Sequence, residues 1–140
     1  MNPIFVLLHT FTHCLINALA NDSGYSNASI REKIYCSKYF SDTAPKMAGI
    51  LIYTASGDSE GSLGGLVRQG MPGRIENIIY QAINEAKWCA SDPVCIQSTG
   101  QGQDGCNLAA CHNCALLPET SCENKNMYLD RGLMIGTLDD

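Results

Sequence analysis

The segment "ACHNCALLPETSCENKN" (residues 110–126) places Cys111, Cys114 and Cys122 within twelve residues, with His112 between the first two. How the C-terminal third of the chain folds depends on whether these thiols converge on a metal, pair as disulfides or form a reactive centre. In Cys111-x2-Cys114 the two intervening residues let a tight turn aim both sulfurs at one tetrahedral ion. A complete site needs two more ligands.

Cys122 stands beyond a Pro118-containing spacer, near the start of a candidate helix, and Cys95 follows the Asp92-Pro93 turn. Each is therefore brought in by a short, rigid connection, and Cys95, Cys111, Cys114 and Cys122 are the expected ligands. Cys89 is a fifth candidate, able to replace Cys95 or Cys122, and Cys106 a sixth, so the choice of four among the six thiols of residues 89–122 stays open. Four cysteines close the coordination sphere to water, which makes a zinc ion structural: it would pin the loop 90–110 to the last helix. An iron–sulfur cluster also takes four thiolates, and spacing alone does not choose between the metals. The zinc deaminase signature, H-x-E with P-C-x-x-C, does not occur.

Disulfides belong to oxidising compartments, so the N-terminus bears on the same question. "MNPIFVLLHTFTHCLINALAND" ends its apolar run in Ala18-Leu19-Ala20, as a signal peptide does, but no Lys or Arg precedes Arg31, and His9 and His13 interrupt the run. The alternative is a buried helix: Phe5, Leu8, Thr12, Leu15, Ile16 and Leu19 recur at three- and four-residue spacing, and Asn21-Asp22-Ser23-Gly24 supplies a stop. A cytoplasmic chain with reduced thiols is the expectation, and a secreted disulfide-bonded domain the alternative. Cys14 and Cys36 are expected to be small core residues on helices. His9 and His13, four apart, share one helical face and are expected to be a packed or capping pair, with ligation or general-base work as the other option.

Further along, "SNASIREKIYCSKYF" reads as a second amphipathic helix capped by Ser26 or Asn27. "AGILIYTAS" reads as one buried strand, followed by a glycine-rich turn and a short helix. "MPGRIENIIYQAINEAKW" is the clearest helix, with Ile75, Ile78, Ile79, Ala82, Ile83 and Ala86 on one face and Pro72 near its start. "LAACHNCALL" and "NKNMYLDRGLMIG" read as short helical pieces around the thiols. The expected architecture is a mixed α+β, helix-dominated fold: one small domain, residues 1–140, with a short buried strand or small sheet and a C-terminal four-cysteine zinc site.

The chain has 140 residues, enough to bury a core without staples, and no run of eighteen apolar residues, so no membrane partner is expected. Net charge is −5; residues 89–140 carry seven acidic groups against Lys125 and Arg131 alone, which is no basic footprint for nucleic acid. Gly57-Asp58-Ser59-Glu60-Gly61 matches the G-x-S-x-G nucleophile elbow, with Asp104 and His112 following in hydrolase order, so a small serine hydrolase is an alternative function. One strand cannot supply the large parallel sheet that such an elbow requires. No Walker motif G-x-x-x-x-G-K-[ST] occurs, and no thioredoxin-like βαβ pattern precedes the C-x-x-C.

In order along the chain, "LLHTFTHCLI", "GILIYTASGDSEGSLGGLV", "WCASDPVC", "AACHNCALLPETSCENKN" and "LDRGLMIG" resemble the zinc-binding C-terminal domain of MrfA-like helicases. The wording is most similar to the version in DrmB-type subunits of DISARM anti-phage systems. The resemblance covers about residues 8–137 and implies an accessory domain with four cysteines on one zinc. It further implies a helicase-type partner or fused superfamily 2 helicase core, in DNA repair or antiviral defence, with DNA reached through the complex. Such a domain would not be an enzyme by itself. Arg68, Arg74 and Lys87 are the basic residues nearest to a nucleic-acid path.

Overall fold

The computed structural model describes residues 2–37, 46–54 and 65–136. It is a helix-dominated mixture of α and β built on one long N-terminal helix, α1 (Pro3–Ser23). Asn2 caps it by accepting from the Ile4 N–H, Pro3 occupies the first turn where no donor is needed, and Gly24 ends it in the left-handed region at φ 79°. By length and composition α1 is apolar enough to cross a membrane. Here it is the central packing element: Leu15, Ile16, Ala18 and Leu19 lie in the core with Ile78, Ala82 and Ala86.

Two strands follow, β1 (Ile30–Cys36) and β2 (Ala48–Thr54), paired antiparallel with Ile30 opposite Thr54, Glu32 opposite Ile52 and Ile34 opposite Ile50. The expected helix over "SNASIREKIYCSKYF" is thus a 3-10 turn, Asn27–Ser29, followed by a strand. The alternation of strands explains it: Ile30, Glu32 and Ile34 share the inward face while Arg31, Lys33 and Tyr35 share the other. Glu32 at an inward position is what hid that period. Cys36 accordingly ends a strand rather than lying on a helix, and the single expected strand is one arm of a hairpin whose Leu51 and Tyr53 are exposed.

Two further helices, α2 (Gly65–Gln69) and α3 (Ile75–Ala86), bring the chain to the cysteines. α3 buries Ile78, Ala82 and Ala86 against α1 and leaves Tyr80 exposed, as is Trp88 just beyond its end. Beyond it the backbone is nearly all turns. The expected helical pieces over "LAACHNCALL" and "NKNMYLDRGLMIG" reduce to α4 (Gly132–Ile135) alone. Instead, side chains hold the main chain: Asn126 brackets Leu117, accepting from its N–H at 3.0 Å and donating to its carbonyl at 2.7 Å. Asn107 does the same between segments, donating to the Asn126 carbonyl and accepting from the Leu129 N–H. Gly57 to Gly61, including Ser59, lie outside the described residues.

Candidate metal centre

The end of α3 delivers Cys89, and the following turn is organised by Asp92, whose carboxylate accepts from the N–H groups of Cys89 and Ile96 at 2.9 and 3.1 Å. That turn presents Cys95 beside Cys89. From the other side, Cys111 and Cys114 form a knuckle in which Cys114 and Ala115 donate to the Cys111 carbonyl and the Cys111 N–H points at the Cys114 sulfur, 3.2 Å away. Asn113 ties the two halves together by donating to Ser91 Oγ at 2.7 Å.

The four sulfurs of Cys89, Cys95, Cys111 and Cys114 all lie within 4.8 Å of one another. Cys89 to Cys111 is 3.5 Å, Cys95 to Cys114 3.8 Å and Cys111 to Cys114 3.8 Å. A tetrahedron with zinc–sulfur bonds of about 2.3 Å has edges of about 3.8 Å, so the cluster has the size of one tetrahedral ion. A bridged iron–sulfur cluster would hold its thiolates farther apart. The sulfurs also stand well beyond the roughly 2.05 Å of an S–S bond, and all eight cysteines are free thiols in the structure.

The electrostatics differ from thiol to thiol. Burial opposes ionisation of Cys111, but the Asn113 N–H and hydrogen bonds with Cys89, Cys95 and Cys114 outweigh it and hold that thiol below the usual range. Burial pushes Cys89 and Cys114 up, so a cation is needed to make those two ionise. The Ser91 N–H donates toward the Cys89 sulfur and Gln101 Nε2 toward that of Cys95, each at about bonding range for sulfur. Arg131, fully buried, adds a fixed positive charge next to the site and bonds Asp92 Oδ1 at 2.7 Å.

Three of the expected ligands therefore come together, and the fourth place is taken by Cys89 instead of Cys122. The spacer explains it. Leu117 is drawn into the core, Pro118 begins a 3-10 turn (Glu119–Ser121), and Ser121 Oγ is anchored on the Asn27 carbonyl at 2.8 Å. The chain thus leaves the knuckle and runs toward α1 and β1. Cys122 ends up 3.2 Å from His9 Nε2, in a buried group with His13 and Glu32. There its thiol is pushed up to about 12 by burial and by the neighbouring Glu32 charge. Burial would raise Glu32 as well, but the imidazoles of His13 and His9 alongside it bring it down to about 2.

Cys106 is half-buried and outside both groups, and Cys14 is a buried core thiol raised to about 11 by burial. His112 is exposed and lines an open cleft with Gly102, Gln103, Lys125 and Asn126, away from the four sulfurs. Asp104 is exposed on a 3-10 turn, Gln103–Gly105. Arg68, Arg74 and Lys87 are exposed around α2 and α3. A sequence signal for Cys89 did exist: it stands three residues before an Asp that can accept from its N–H, at the mouth of the same turn that carries Cys95.

Comparison with known proteins accords with this geometry. The family model described as the MrfA Zn-binding domain matches residues 11–115, a range that contains all four clustered cysteines as well as His13 and Glu32. The DISARM protein DrmB of Bacillus paralicheniformis (strain ATCC 9945a / NCIMB 11709 / CD-2) is 44% identical over 136 residues. The aligned region is 97% of this chain but 23% of that relative, so the chain spans about a quarter of the length of the protein it matches.

Proposed function

Because the chain belongs to the MrfA Zn-binding domain family, we propose that it works as a zinc-braced accessory module, residues 1–140, within or beside a superfamily 2 helicase-type protein. Its zinc would be held by Cys89, Cys95, Cys111 and Cys114. The observation that carries this reading is the four-sulfur cluster: it supplies every ligand of a tetrahedral ion and leaves no position for a reacting water. The ion then fixes backbone in place and does no chemistry. The DISARM name of the relative supports a setting in anti-phage defence, with DNA repair the other setting that the resemblance implies. The share of that relative that is covered supports a role as one module of a larger machine.

In this reading DNA is reached through the assembly, with Arg68, Arg74 and Lys87 the basic groups on offer near it, and the compartment is the cytoplasm. On the second point, α1 with its eleven buried residues is part of the core.

The test has two parts. Protein purified without chelator should contain zinc, and Cys111→Ser should release the ion of this centre; a zinc-free chain would sink the module outright. Adding the chain to a helicase-type partner lacking it should raise DNA-stimulated ATP hydrolysis. The chain alone should shift labelled DNA in an anisotropy titration weakly or not at all. Tight DNA binding by the isolated chain, with no effect on the partner, would argue for an independent nucleic-acid binder instead.

A further inference from the structure

His9 and His13 lie one turn apart on α1 and face Glu32 of β1 and Cys122, and all four side chains are buried. One donor atom from each lies within 4.8 Å of the other three. His9 Nε2 is 2.8 Å from Glu32 Oε1 and 3.2 Å from Cys122 Sγ, and His13 Nε2 is 3.3 Å from the same carboxylate oxygen.

Hydrogen bonding alone does not satisfy this quartet. His13 Nδ1 sits 2.8 Å from the Ala115 carbonyl oxygen, which only accepts, so Nδ1 carries a proton and the neutral ring presents a lone pair at Nε2. That lone pair faces Glu32 Oε1, another acceptor. His9 Nε2 has two partners for at most one N–H, while His9 Nδ1 and Glu32 Oε2 have no hydrogen-bond partner among the described residues. Four ionisable groups at zero or near-zero exposure, imperfectly paired, are a free-energy cost that apolar side chains at these positions would not carry.

One cation among them changes the sign of these contacts. Two imidazole nitrogens, a carboxylate oxygen and a thiolate all turn lone pairs toward it. His13 Nδ1–H keeps its carbonyl, which is how metal-bound histidines fix their tautomer and ring orientation. We propose that His9, His13, Glu32 and Cys122 form a second metal site, distinct in every ligand from the four-cysteine centre, and that it takes zinc. Mixed nitrogen, oxygen and sulfur donors suit an ion of borderline softness, and four protein ligands leave it closed. It would clamp α1, β1 and the segment after Pro118 together, whereas the four-cysteine centre clamps the end of α3 to the knuckle.

The deciding measurement is the zinc content of the chain by mass spectrometry, combined with zinc X-ray absorption fine structure on the same unaltered sample. Two zinc ions per chain are expected. Their average coordination should be about 2.5 sulfur and 1.5 nitrogen or oxygen donors per ion, because five sulfurs and three other donors serve two tetrahedral sites. One zinc with purely sulfur coordination overturns the second site and leaves the four-cysteine centre standing; no zinc overturns both. In the variants, Glu32→Gln and Cys122→Ser should each bring the content to one all-sulfur zinc. Cys111→Ser should instead leave one ion with mixed ligands. Two ions retained in Glu32→Gln with the wild-type donor average would also overturn the proposal, and the measurement on the unaltered chain decides even if a variant fails to fold.

Discussion

Arg131 donates to the Ala86 carbonyl at 2.8 Å and to Asp92 Oδ1 at 2.7 Å, and its side chain has no exposure at all. Asp92 passes the constraint on through the N–H groups of Cys89 and Ile96, so one buried cation positions the turn that carries two of the four clustered sulfurs. It also opposes the negative charge that four thiolates keep after binding a divalent ion. Arg131→Met leaves Asp92 without its partner and should cost about 3–5 kcal/mol, the penalty for breaking a buried pair. Urea unfolding of the zinc-loaded protein measures it. Arg131→Lys should restore little, because an ammonium cannot fork to Ala86 and Asp92 at once. An effect below about 1 kcal/mol, the range of exposed pairs, would place this bridge among the dispensable ones.

At the same scale, Gly102 has φ +75°, and a Cβ there would come 2.6 Å from Asn107 Nδ2. Asn107 cannot yield, since both ends of its amide are engaged. Gly102→Ala should therefore lower stability by about 1–3 kcal/mol, as backbone strain and contact add, and a thermal melt should record it. Neither residue announces itself in the sequence. Arg131 stands there only as one of two bases in an acidic stretch, and Gly102 as one glycine in a polar loop.

Among the elements, those with an uninterrupted period were legible. α1 and α3 show their apolar faces every third or fourth residue, and Gly24 stops the first where expected. β1 was not, because its inward row reads Ile30, Glu32, Ile34: a carboxylate in the middle of a buried face breaks the alternation and leaves Ile30 and Ile34 at helical spacing. The same residue that conceals the strand belongs to the buried group with His9, His13 and Cys122. A rule broken at the level of pattern marked a site, as expected where function overrides local preference. The segment 106–131 escaped for another reason. It is fixed by amide brackets between residues far apart in sequence, which no local period can show.

Those brackets allow a clean test. Asn126→Asp keeps a residue type that tolerates φ +57° and keeps the acceptor for the Leu117 N–H, but loses the donor to the Leu117 carbonyl. With a buried carbonyl left unpaired and a new charge set against it, the variant should lose about 1–3 kcal/mol in urea unfolding at neutral pH. A neutral result would show that the segment is held by its metal and not by its amides.

For the whole molecule, the class of site was legible and its membership was not. A C-x2-C pair with further thiols nearby calls for a tetrahedral ion, but the direction in which the chain leaves Leu117 decides that Cys122 goes to the histidines and Cys89 to the sulfurs. That direction is set by packing of Leu117 into the main core and by Ser121 on Asn27, both contacts across long sequence separations.

The distribution of apolar side chains then predicts how the molecule comes apart. The main core joins α1, α3, Ile30 and Leu117, whereas the cysteine region buries little beyond Ala110, Ala115 and Leu129. Burial at roughly 25 cal/mol per Å² favours the first and gives the second little beyond its ion. Loss of the four-cysteine zinc through Cys111→Ser should therefore free the cysteine region while the helical core persists. In hydrogen exchange read by mass spectrometry, amides of residues 95–115 should lose protection by about a hundredfold or more, the change expected when local opening costs about 3 kcal/mol less. Those of α1 and α3 should shift by less than tenfold. Equal loss throughout would show a single cooperative unit in which the ion supports the core as well, and the division of labour between apolar packing and metal would have to be abandoned.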